Sequence, residues 1–159
     1  MRSDENNIDT VISLLRKHYW TNIILLAALF LLTLFRVVSL FQTVNPVSVT
    51  IERYSIVISI IAIPAALKLF AYILKKIPVG TDNETVITKY KVASYTRLYI
   101  ISAITLMNIV LYAYSFNMNF FWFTVVLFII YVFCKPSYPE LENVVNRVTE
   151  EEIKETDNE

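Results

Sequence analysis

The chain of 159 residues holds one glycine, one cysteine and one histidine. With Gly80 alone there is no phosphate-cradling loop, no dinucleotide fingerprint and no G-x-x-x-G helix pair. With Cys134 alone there is no internal disulfide, no CxxC redox pair and no cysteine zinc cluster. His18 alone makes no histidine metal cage, and serine hydrolysis lacks both a nucleophile-elbow sequence and a second histidine. Lys and Arg total 14, as do Asp and Glu, so the net charge is zero and gives no basis for nucleic-acid binding. The acids are missing in one place above all: no Asp or Glu falls within four long apolar segments, 20–41, 54–74, 94–115 and 119–134. That absence argues against proton-driven cation transport, which commonly relies on an intramembrane carboxylate, and against paired-carboxylate chemistry there. We expect no catalytic residue, no cofactor and no metal site.

Hydrophobic residues make up 56% of the chain and charged ones 18%. The first three segments approach or exceed the ~20 residues that span a bilayer. The fourth is shorter, but its tight flanks and dense aromatics argue for a span. Apolar residues run all round each segment, unlike the one-faced helix of a soluble bundle. The fold expected is all-α and integral to a membrane. It comprises four antiparallel transmembrane helices over 20–134, with an amphipathic cytoplasmic helix at each end, 1–19 and 135–159. Ile8, Val11, Ile12, Leu15 and Tyr19 give the first of these one greasy face, suited to lying on the membrane surface. Segment one is too long for a cleaved signal peptide, and no small-residue cleavage site follows it, so it reads as a retained anchor. Arg16, Lys17, Lys75, Lys76, Lys89, Lys91 and Lys135 all fall on one side, against Arg53 on the other. That bias places both termini in the cytoplasm, and we expect a bacterial cytoplasmic membrane.

Three cations interrupt the apolar segments: Arg36, Lys68 and Arg97. Each lies within about 10 Å of a segment end at ~1.5 Å per residue, within reach of a snorkelling side chain. Headgroup phosphates are the first expected partner, a polar cavity holding an anion the second, and loop acids the third, with Glu52 the best candidate for Arg36. Segment three carries a polar stripe, Ser94, Arg97, Thr105, Asn108, Tyr112 and Ser115, which reads mainly as helix–helix glue. Asn108, near mid-bilayer, must find a hydrogen-bond partner. Segment two offers a matching face of small residues, Ser55, Ser59, Ala62 and Ala66, where backbones can approach. Pro64 beside it removes one backbone bond and is expected to kink the helix. Cys134, at the membrane edge, reads as a bystander thiol, with S-acylation the alternative.

The tail begins with Pro136 and Pro139, which end segment four and start a new helix. Leu141, Val144, Val145 and Val148 then form one apolar stripe. A helix this short is marginal alone in water, so something must cover that stripe. We expect a groove on a protein partner, with basic groups accepting Glu150, Glu151 and Glu152. The function expected is that of a non-catalytic scaffold, assembly or accessory subunit that meets the lipid bilayer and holds a partner through this tail, with self-association also open. The rival is a small oligomeric channel or transporter subunit for an anionic or neutral solute. A dry, packed face along the segment-three stripe favours the first, and a wet one the second.

Overall fold

The computed structural model describes residues 2–37, 47–78 and 80–156, with side chains from Ile8 to Val148 within those ranges. Among the described residues the structure is helical, in five elements: α1 (Arg2–Leu34), α2 (Val49–Lys75), α3 (Asn83–Ser115), α4 (Met118–Phe133) and α5 (Tyr138–Thr156). α3 is the hub and touches each of the other four. Three helical stretches are long and apolar enough to cross a membrane: Ile8–Leu34, Val49–Lys75 and Asn83–Ser115. A fourth crossing is reached if α4 and the start of α5, bent by 54° between them, are taken as one span.

The boundaries differ from the sequence expectation chiefly in α1 and α3, each with a local cause. The amphipathic stretch 1–19 is not a separate helix but runs straight on into segment one, because no proline, glycine or cap interrupts 16–23. α1 then stops at Leu34, short of the expected 41. Val37 N–H donates to Leu32 C=O (3.0 Å) and Arg36 N–H to Thr33 C=O (3.1 Å), a Schellman closure with Arg36 in the left-handed position at φ 54°. Arg36 therefore lies past the helix, not inside it. Residues 38–41, and Asn45-Pro46, a turn signal in the sequence, lie outside the described residues.

α3 starts eleven positions before segment three, at Asn83, where the Asp82 carboxylate accepts from Glu84 N–H (3.0 Å) and Thr85 N–H (3.3 Å). These bonds, the Glu84 amide foremost and then the Thr85 hydroxyl, hold the Asp82 carboxyl below the usual carboxylate range. Lys89 and Lys91, expected in a loop, are thus helical. α1 and α3, of 33 residues each, are about 50 Å long. A hydrocarbon core is about 30 Å thick, so each helix outruns it by about 20 Å.

The surplus length is occupied by a second core. One buried cluster joins Tyr19, Leu26, Phe30, Ala66, Leu98, Ile101, Ile109, Tyr112, Phe120 and Tyr131, from the apolar stretches of α1 to α4. The other joins Ile8, Ile12 and Leu15 of α1, Phe70 and Leu74 of α2, Val86, Ile87, Tyr90 and Ala93 of α3, and Leu141, Val144 and Val148 of α5. This second cluster marks what we term the tail end of the bundle, and the α3–α4 turn at Phe116–Asn117 marks the far end. The apolar face of 8–19, expected on a membrane surface, is therefore covered by the chain itself. Outside the two clusters the helices show an apolar belt to their surroundings: Ile24, Leu25, Ile58, Ile61, Val126, Ile129 and Val132 are all exposed. Its compatibility with lipid contact is direct, since water-facing surfaces rarely carry so large an apolar band.

Candidate functional site at the tail end of the bundle

α5 follows α4 after four residues and folds back on α1 and α3. Leu141 is fully buried, and Val144 and Val148 nearly so, with Val145 half-buried at the edge of the same cluster. The stripe expected to wait for a partner is thus occupied within the chain, which corrects that reading. Covering these side chains is worth roughly 1.5–3 kcal/mol each by transfer from water, ample to fix a helix that is marginal alone.

At the start of α5 a charged node closes the join. The Arg97 side chain, 6% exposed, faces Glu140, 29% exposed, at 3.2 Å from Nη1 to Oε1. Arg97 Nη2 donates to Cys134 C=O at 3.1 Å and also reaches Glu140 Oε2 at 3.4 Å. Tyr90 O–H donates to the same Oε2 at 2.8 Å. The guanidinium lies 3.9 Å from the centre of the Phe70 ring, a cation–π distance. One arginine thereby ties α2, α3, the α4–α5 link and α5 together. A planar fork with several donors suits this task and a lysine does not. Arg97, expected first to meet headgroups, is paired inside the protein with Glu140. A second tie lies nearby, where Arg147 Nη2 donates to Leu74 C=O at 2.8 Å and satisfies an end carbonyl of α2.

The other two cations have different places. Lys68 is exposed on the outer side of α2. Arg36 sits at the far end with its guanidinium 4.3 Å from the Phe116 ring centre. Glu52, expected beside Arg36, accepts from Asn117 Nδ2 at 3.0 Å and from Asn119 Nδ2. It thus joins α2 to the α3–α4 turn.

The polar stripe of α3 is closed. Asn108 is fully buried, and its Nδ2 donates to Ser59 Oγ of α2 (3.0 Å) and to Ile104 C=O (2.9 Å). Its Oδ1 is buried without a hydrogen-bond partner among the described residues. Thr105 Oγ1 returns to Ile101 C=O at 2.8 Å. Ser55, Ser59 and Ala66 are buried on the facing side, whereas Ala62 is only half-buried and stands at the margin of the contact. Pro64 is exposed, and α2 continues through it from Val49 to Lys75. A third set of bonds went unforeseen: Tyr19 O–H donates to Tyr131 C=O (2.8 Å), and Tyr131 Oη lies 2.6 Å from Ser102 Oγ. This chain crosses α1, α4 and α3. Tyr19, part of the apolar face expected on a membrane surface, is buried here, and no local sequence signal separates the two roles. Cys134 is buried beside the same tyrosines, so its thiol is sheltered rather than presented. Among the described residues no group of His, Cys, Asp and Glu side chains is arranged to hold a metal. Compared with family models, with curated proteins and with solved structures, the chain matches none.

Proposed function

We propose that this is a non-catalytic scaffold or accessory subunit, with four antiparallel spans and both termini in the cytoplasm. The basic residues Arg16, Lys17, Lys75, Lys76 and Lys135 gather at the tail end, which supports that orientation. One observation favours a scaffold over a conducting subunit: Asn108, at the middle of the α3 stripe, is fully buried and donates to Ser59 of α2. The contact element is revised from the apolar face of the tail to its outer face. There Glu142, Asn143 and Asn146 are exposed, and the buried face and the Arg97–Glu140 pair hold the helix as a fixed platform.

The test is site-specific photocrosslinking from position 143 or 146 in membranes, alongside solute flux from vesicles holding the purified protein. The expected result is one discrete adduct from both positions, none from a probe on exposed Tyr54 at the far end, and no flux of chloride or glycerol above empty vesicles. Flux that a Ser59→Leu change abolishes would transfer the assignment to a channel.

A further inference from the structure

Between α1 and α3 an open groove of about 400 Å³ runs along the surface where α1 passes from charged to apolar. Lys17, His18 and Asn22, with Leu14 at its edge, line its polar part, and Leu25, Leu98 and Tyr99 its apolar end. No acid lines it. His18 Nδ1 lies 3.1 Å from Leu14 C=O, and the ring stands edge-on to Tyr95 with centroids 5.5 Å apart. With both ring nitrogens protonated, Nδ1–H donates to the Leu14 carbonyl and Nε2–H can donate to an anionic ligand. Tyr95 and Tyr99 stack at 6.0 Å along the same wall. Beyond Asn22 the α1 surface is bare aliphatic, with Ile24 61% and Leu25 68% exposed. Trp20 is half-exposed at the same level, with Lys135 over its ring at 5.9 Å. Aromatics and lysines at the point where charge gives way to grease mark a headgroup level.

A groove that is cationic at one end and apolar at the other matches a molecule built with the same gradient. We propose that it binds an anionic phospholipid, the phosphate on Lys17 and His18 and the first part of one acyl chain over Leu25, Leu98 and Tyr99. Basic pockets between transmembrane helices recognise anionic headgroups in this way. The inference rests on α1 and α3 crossing a membrane, and not on the orientation or on any protein partner.

The full chain, purified in mild detergent and stripped of lipid, is exposed to equal amounts of phosphatidylglycerol and phosphatidylcholine, and bound lipid is counted by native mass spectrometry. Phosphatidylglycerol adducts should dominate. A Lys17→Gln/His18→Gln variant should lose that preference by roughly fivefold, the worth of one cation near an anionic headgroup. Arg53→Gln, remote from the groove, should keep it, and millimolar inorganic phosphate should not displace the lipid. Equal binding of the two lipids, an unchanged preference in the double variant, or displacement by phosphate would each overturn the proposal. If the double variant does not purify, His18→Gln alone is read against the same criteria. Loss of the preference with partner adducts intact separates this site from the scaffold reading.

Discussion

Arg97 is the residue on which the tail end depends. Removing one member of a fully buried ion pair costs about 3–5 kcal/mol, because it strands the other charge. Glu140 keeps some water, so Arg97→Met should cost less, about 2–3 kcal/mol on the same reasoning. Arg97→Lys should recover little, since it gives up both the second contact to Cys134 C=O and the planar stack on Phe70. A double-mutant cycle with Glu140→Gln, read by thermal unfolding in detergent, should show coupling of about 1–3 kcal/mol. Additive losses would mean the pair is incidental. Asn108 is a milder case. With one amide hydrogen bond across helices and an unpartnered Oδ1, Asn108→Leu should cost about 0.5–1 kcal/mol, at the low end for membrane contacts. Ser59→Leu and Ala66→Leu should cost more, about 1–3 kcal/mol from overpacking, and Ala62→Leu less than either.

At the scale of elements, periodicity located the greasy stripes of 8–19 and 141–148 correctly and said nothing of what covers them. Both had been assigned to outside surfaces, and they meet each other across α3. The pair Arg97 and Glu140 lies 43 positions apart, beyond any local pattern. The length of α3 was hidden for a different reason. Lys89 and Lys91 look like loop residues when the eye searches for a bilayer-length apolar run, although a capping Asp82 stands seven residues before Lys89. That cap carries a prediction of its own. The folded-state carboxyl titrates below its unfolded value, so its contribution is present above the ordinary carboxylate range and lost as pH falls through the depressed value. Asp82→Ala should therefore lower the melting temperature at neutral pH, and the difference should shrink as pH falls below the ordinary carboxylate range. α5 behaves as part of the core. Truncation after Tyr138 removes Glu140, Leu141, Val144 and Val148 together and leaves Arg97 without its counter-ion. The shortened protein should elute as aggregate in size-exclusion chromatography, or melt well below the full chain.

On the scale of the whole molecule, the apolar belt and the basic tail end were legible in the order of apolar runs and cations along the chain, because membrane solvation acts on every residue of a span. The tail dock was not, because it depends on which helices are neighbours. Orientation is tested by cysteine labelling in a Cys134→Ser background. Membrane-impermeant reagent added to intact cells should reach Met118→Cys at the far end and not Asn83→Cys, both exposed positions. These avoid Asn117, which caps α4 and binds Glu52. The reverse pattern would invert the topology. The account turns on α5 being built into the bundle, and amide hydrogen exchange of the full chain in detergent reads that directly. Amides from Leu141 to Val148 should exchange orders of magnitude more slowly than a free helix of this length, at rates approaching those of Val86–Ala93 in α3, and Arg97→Met should speed the first group far more than the amides of Ser102–Ile109. Exchange of 141–148 at the rate of an unstructured chain, with α3 still protected, would show a tail that stands apart from the bundle and would contradict the account.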